Sequence, residues 1–215
     1  MYKYIAYPRS GSHFIHQVLT CYTGKHAPTR IYNPAHDRDT CKKVEGCFYV
    51  WRNPVKVIYS LFGAERCNSI QTVDFDLLTE SWLDSEINRI KIHFDFYWKN
   101  AGIVVRYNDL IANNAWKEIL EFFNFDYNKE KILDCSSKIT VDVSIKNYPG
   151  AWMHNFMLSD EYKQGRETFE KLYTDKILNS FSEYLKNFRG SSLFARFVAA
   201  FIPTSIQIAL IICSE

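Results

Sequence analysis

Two short stretches carry residues suited to holding a phosphate. In the first, Tyr7-Pro8-Arg9-Ser10-Gly11-Ser12-His13-Phe14, a turn runs directly into a helical pattern. A helix N-terminus presents unpaired backbone N–H groups and the positive end of the helix dipole. Gly11 lets an anion approach the backbone, Ser10 and Ser12 add hydroxyl donors, and Arg9 adds charge. No G-K-[ST] follows a leading glycine, so this is not a Walker A loop. Taken alone, the stretch suits a solvated strand-to-helix turn equally well. The second stretch, Arg52-Asn53-Pro54 through Ser60, again ends a strand in an arginine just before a helix. A guanidinium binds phosphate oxygens bidentately, and a hydroxyl is a good companion for it. Ser60 returns toward Arg52 only if the chain bends back at Asn53-Pro54. Otherwise Arg52 caps a sheet edge and Ser60 merely fills a helix.

The elements that must position these residues read as alternating strands and helices. Tyr2 to Tyr7 is rich in β-formers and stops at Pro8; Phe14, Ile15, Val18, Leu19 and Tyr22 then fall at helical spacing. Thr23 to Asp39 is mostly loop, with one short strand expected near Ile31. Cys47 to Trp51 is a continuous apolar run suited to a buried parallel strand, and Val55, Ile58, Leu61 and Phe62 mark the helix after it. Leu83 to Trp98 is helical in period, Ile103 to Tyr107 is a third strand, and Trp116 to Phe123 is another helix. Phe169, Leu172, Tyr173, Ile177, Phe181 and Leu185 mark a last one. The pattern predicts an α/β fold: a central parallel sheet flanked by helices, with a P-loop-like nucleotide-binding turn.

At four places the residues resemble sulfotransferases that use 3′-phosphoadenosine-5′-phosphosulfate (PAPS). YPRSGSHF is similar to that family's 5′-phosphosulfate loop, and YVWRNPVKVIYSLF to its 3′-phosphate motif. RYNDL at Arg106 to Leu110 resembles its R-Y-E-D-L segment, with Asn108 in place of Glu. GAWMHNF at Gly150 to Phe156 resembles its late G-D-W-x-N-H-F segment imperfectly. The matches stand in the family's order over roughly residues 1 to 185, and their joint occurrence is more specific than any one of them.

The resemblance implies sulfuryl transfer from PAPS to an acceptor hydroxyl by in-line displacement, without a metal. It implies that Arg9, Ser10, Gly11 and Ser12 meet the 5′ phosphosulfate, with Arg9 also neutralising charge on the departing phosphate. His13 stands where the family commonly has Thr; Phe14 stands where it has Trp and would face the adenine. Arg52 and Ser60 take the places of the 3′-phosphate pair. Lys146 matches the Lys of a basic R-K-G run, although Ile145 and Asn147 replace its neighbours. His36, in Pro34-Ala35-His36-Asp37, resembles the family's base segment, and imidazole is the natural base near neutral pH. Among the six histidines His13 is the runner-up as base, and His93 and His154 read as structural. Rival readings are a P-loop-type nucleotide kinase, which would need the missing Walker lysine, and a non-catalytic nucleotide-binding relative.

Composition sets the outer bounds. With 215 residues, 47% hydrophobic and 23% charged, the chain can bury a sizeable core and is neither disordered nor fibrous. A formal charge of +2 does not favour nucleic acid, so the expected partner is a small-molecule, lipid or carbohydrate hydroxyl acceptor. Six cysteines without C-x-x-C spacing read as scattered single thiols, which suit a reducing compartment. The first residues, MYKYIAYPRSGS, lack the apolar core of a signal peptide, and the expected location is the cytoplasm. The catalytic domain is expected to span residues 1–190, with an apolar tail over 191–215. Phe197 to Cys213 carries no charge but is interrupted by Pro203, Thr204, Ser205 and Gln207. Three fates stay open for it: a membrane span, a helix on the membrane surface, or a helix packed on the domain.

Overall fold

A parallel sheet with helices on both faces carries the site. The computed structural model describes residues 3–24, 29–30, 41, 45–139, 156 and 158–186. In chain order these form β1 (Lys3–Ala6), α1 (Ser12–Thr23), β2 (Thr29–Arg30), β3 (Cys47–Trp51), α2 (Pro54–Phe62), α3 (Glu80–Asn100), β4 (Ile103–Arg106), α4 (Tyr107–Ile111), α5 (Trp116–Phe122), α6 (Lys129–Lys138) and α7 (Asp160–Lys186). The strands lie in the order β2-β1-β3-β4, all parallel, and β2 adds only two residues at one edge. Lys3 to Ala6 pair with Cys47 to Val50, and Phe48 to Trp51 pair with Ile103 to Arg106.

Strand side chains alternate between faces, so each strand feeds two cores. Ile5, Tyr7, Cys47, Tyr49 and Trp51 pack under α2, α3 and α7. Tyr4, Phe48, Val50 and Val105 pack under α1, α5 and α6. Every residue of β3 is buried, which is why its sequence shows no polar alternation. The expected strands at Cys47–Trp51 and near Ile31, and the expected helices, are present with end shifts of a few residues. Two helices went unread. In α4, Tyr107 opens a helical turn where a strand end was expected. In α6, only Ile132 and Cys135 are buried, too few to show a period. Leu172, expected on the apolar stripe of α7, is instead 57% exposed; Phe169, Ile177 and Phe181 are the buried members.

The reading of six single thiols is also corrected. Cys21 on α1 and Cys135 on α6 form a disulfide, with Cα atoms 5.7 Å apart. They are 114 residues apart in sequence, a separation from which no pairing is readable. Cys41, Cys47 and Cys67 keep their thiols. Among the described residues no helix is long and apolar enough to cross a membrane, and the expected tail at 191–215 lies outside them.

α3 buries two polar residues on its inner face, and both are partnered. Glu86 accepts from the Tyr7 hydroxyl at 3.1 Å and pairs with Arg89 at 2.7 Å. His93 Nδ1 lies 3.2 Å from the Tyr49 hydroxyl, with its ring among Tyr7, Tyr49 and Tyr97. Burial pushes the His93 imidazole down from 6.5 to about 3, so it is neutral in the native state well below neutral pH. Between these two values the unfolded chain binds the extra proton, so stability falls as pH drops through that window. Well inside that window the loss approaches about 1.4 kcal/mol per pH unit, and from pH ~6.5 to ~5 it sums to roughly 1.5 kcal/mol. Urea titrations of wild type and His93→Gln across that range check this. The variant should show a flatter pH dependence; an unchanged slope would remove His93 from the account.

Candidate functional site

The carboxyl ends of β1, β3 and β4 deliver three loops to one place, the position where open parallel sheets bind ligands. The first loop contains Arg9 at φ 66° and Gly11 at φ 84°, with the Ser10 amide donating to the Tyr7 carbonyl at 3.0 Å. A left-handed arginine costs about 1–3 kcal/mol and persists only where its surroundings hold it. Here the holder is the second loop. Arg52 Nη1 donates to the Arg9 carbonyl at 2.9 Å, and Arg9 Nε donates to Ser60 Oγ at 2.9 Å. The two stretches singled out in the sequence therefore interlock. Ser60 meets Arg9, and Arg52 holds the backbone of that same residue.

Asn53 and Pro54 make this possible. Pro54 takes the first helical position of α2, and Asn53 Oδ1 accepts from the Val55 amide at 2.9 Å, so the chain turns sharply and α2 starts already capped. The start of α1 contrasts with it. Gly11 is its cap residue and brings no side chain to cap it, and no acidic residue sits in its first turn. Ser10, only 1% exposed, holds a buried hydroxyl without a hydrogen-bond partner among the described residues. Leaving a buried hydroxyl unpaired costs about 1–3 kcal/mol, which an acceptor oxygen placed there would offset. A helix start capped only by glycine and a buried hydroxyl on the adjacent residue suit a phosphate or sulfate oxygen.

Tyr107, which opens α4, closes the site from the third loop. Its ring sits against Gly11, and the Arg52 guanidinium lies 4.8 Å from the ring centroid. A Cβ on Gly11 would come 1.9 Å from Tyr107 Cε2, on a backbone that L side chains rarely adopt. Gly11→Ala should therefore displace Tyr107 and the loop together. The expected outcome is a loss of roughly 1–3 kcal/mol of stability and most nucleotide affinity, read by thermal melting and calorimetry. A variant that melts and binds like wild type would show that the loop tolerates the side chain.

Phe14 packs its ring edge-on to Tyr107 at 6.2 Å and tilted against Trp116 at 6.1 Å. Arg106, just before Tyr107, forms a bidentate pair with Asp109 at 2.5 and 3.1 Å, so Asp109 is committed to holding this corner. Ser12 and His13 lie in the first turn of α1, Ser12 buried and His13 half-buried. His36 and Lys146 lie outside the described residues, as does all of the GAWMHNF segment except Phe156. Phe156 is buried, with its ring edge-on to Tyr162.

Compared with models of protein families and with curated proteins, the chain matches none.

Sequence reasoning missed α7's part in the site. Tyr162 is buried with its carbonyl accepting from the Tyr59 hydroxyl at 2.6 Å, and Arg9, Ser60, Arg166 and Arg52 each favour the charged form of its phenol. Burial dominates and pushes that phenol up to about 12, so it stays protonated and able to donate. Burial likewise pulls the Arg52 guanidinium down from its usual value, and the like charge of Arg166 adds to the pull. The aromatic spacing of α7 revealed a packing stripe, but not that Tyr162 packs on Tyr59 of α2. Tyr107 carried a weak signal as the aromatic of R-Y-N-D-L; its contact with Gly11 is a tertiary fact.

Proposed function

We propose that the chain is a sulfotransferase that moves a sulfuryl group from PAPS to an acceptor hydroxyl. One observation carries the reading: Arg9, Arg52 and Ser60 interlock beside the glycine-capped start of α1, where the buried Ser10 hydroxyl has no hydrogen-bond partner among the described residues. These residues fit the anionic donor. Ser10, Gly11, Ser12 and the first amides of α1 would hold its 5′ end, and Arg9 would balance charge gathering on the leaving phosphate. Arg52 and Ser60 would hold the 3′ phosphate, with Lys146 joining them. Phe14 and Tyr107 offer aromatic surface to the adenine. His36 would take the proton from the acceptor hydroxyl as its oxygen attacks sulfur.

The fold belonging to this reading is a P-loop-like one in which the first turn lacks the Walker lysine; His13 stands after Ser12. A kinase would need another cation for that task. The acceptor would be a small-molecule, lipid or carbohydrate hydroxyl compound, met beside the residues that follow α2. In the cell the reading places the enzyme in the cytoplasm. The Cys21–Cys135 bridge weighs the other way, since disulfides persist mainly in oxidising compartments. The deciding assay is transfer of radiolabelled sulfate from PAPS across phenol, alcohol, sugar and lipid acceptors. Label on at least one acceptor, absent with Arg9→Ala, is the expected result. Tight nucleotide binding with no transfer to any class would favour a non-catalytic binding protein.

A further inference from the structure

The buried carboxylate of α3 is tied to the turn that opens the site. Glu86 is fully buried on the same inner face as Leu83, Ile87 and Ile90, where an apolar side chain would serve packing as well. Replacing a buried ion pair by well-packed apolar residues is often neutral or stabilising, so stability alone does not require a carboxylate here. What Glu86 holds gives it a use. Its Oε2 accepts from the Tyr7 hydroxyl at 3.1 Å, across 79 residues of sequence. Its Oε1 accepts from Arg89 Nη1 at 2.7 Å.

Tyr7 follows β1 directly and is the first residue of the turn that carries Arg9, Ser10 and Gly11. Its carbonyl accepts from the Ser10 amide at 3.0 Å, which closes that turn. Pro8 stands between them; its ring fixes its own φ and restricts the backbone of the residue before it, Tyr7. The place of Ser10 therefore follows from the orientation of Tyr7. From α3 that orientation is set at two points. Glu86 takes the hydroxyl, and the His93 ring stands edge-on to the Tyr7 ring at 5.0 Å. Tyr7 also lines one narrow slot together with Ser10 and Arg52, so a shift of its ring reaches the residues of the candidate anion site directly.

We propose that Glu86 is a positioning residue: through the Tyr7 hydroxyl it fixes the turn from Tyr7 to Ser10, and so holds the Ser10 hydroxyl and the start of α1 where the 5′ phosphate of a nucleotide would bind. This rests on the nucleotide-binding part of the proposed function. Glu86 touches no ligand and moves no proton; it acts through Tyr7.

The test uses the full chain with Tyr7→Phe, which keeps the ring and removes the hydroxyl. Amide hydrogen exchange followed by nuclear magnetic resonance reads the turn without a ligand. A loss of overall stability speeds exchange throughout the core, whereas a loosened turn speeds it locally. In Tyr7→Phe the Ser10 amide should exchange about tenfold faster, over and above any change in the amides of β3. Calorimetric titration then compares adenosine 3′,5′-bisphosphate, whose 5′ phosphate would meet this turn, with adenosine 3′-monophosphate, which lacks it. Tyr7→Phe should weaken the bisphosphate about three- to tenfold and the monophosphate less than about twofold. Glu86→Ala should do the same, and Glu86→Gln, whose amide oxygen still accepts from Tyr7, should recover most of the loss. Tyr7→Phe carries the test by itself where Glu86→Ala does not fold. Unchanged exchange at Ser10, or a rise shared equally with β3, overturns the proposal and leaves the function reading standing. Unchanged affinity for the bisphosphate, or equal weakening of both ligands, does the same. A wild-type chain that binds neither nucleotide overturns both.

Discussion

Replacing Arg52 with alanine should weaken binding of the 3′-phosphorylated nucleotide by about ten- to a hundredfold, with a much smaller effect on adenosine 5′-phosphosulfate. The range is that of a charge-assisted phosphate bond, roughly 1.5–3 kcal/mol. Two further consequences belong to the same guanidinium. It holds the Arg9 carbonyl at 2.9 Å, so its loss also loosens the left-handed turn at the 5′ end. It lies over the Tyr107 ring, so that ring loses its cationic partner. Some weakening of the 5′-phosphosulfate is thus expected, but less than for the ligand that also carries a 3′ phosphate. Arg52→Lys separates the effects, because an ammonium keeps the charge and loses the bidentate fork. If Arg52→Ala weakens both ligands equally, Arg52 supports the loop and does not read the 3′ phosphate.

The largest effect on turnover is expected from His36→Ala, a fall of about 10²–10⁴-fold with donor affinity nearly intact. A general base acts on the acceptor, so its removal slows the chemical step and spares donor binding. His13 is the control. It lies at the start of α1, within the loop that would hold the phosphosulfate, so His13→Ala should disturb donor affinity first. Steady-state kinetics of both variants, with donor affinity measured separately, distinguish the roles. Full activity in His36→Ala together with loss in His13→Ala would transfer the base to His13.

What could be read from residues alone followed from how local the cause was. β3 and α2 were legible because a fully buried strand shows as an unbroken apolar run, and Asn53-Pro54 is a strong local start signal. Arg9, Ser10, Gly11, Arg52 and Ser60 were legible as two separate phosphate-like turns. Their interlocking was not, since the Arg9–Ser60 and Arg52–Arg9 hydrogen bonds join loops that meet only through the pairing of β1 with β3. Strand order is likewise non-local. α6 hid because its burial rests on Ile132 and Cys135 and on a covalent link to α1 that spacing cannot reveal. Tyr162 hid because a residue on a long amphipathic helix cannot be assigned a partner until the facing element is known. Gly165 was the available clue, a helix-weakening residue whose place is explained only by the close approach of α2.

On the proposed reading, the site holds a nucleotide with phosphates at both the 3′ and 5′ positions rather than a triphosphate. Side-by-side calorimetric titration of the full chain with adenosine 3′,5′-bisphosphate and ATP tests it most directly. The bisphosphate is expected to bind at least about tenfold more tightly, because ATP has no 3′ phosphate to form a charge-assisted hydrogen bond with Arg52. Equal affinities, or tighter binding of ATP, would contradict it.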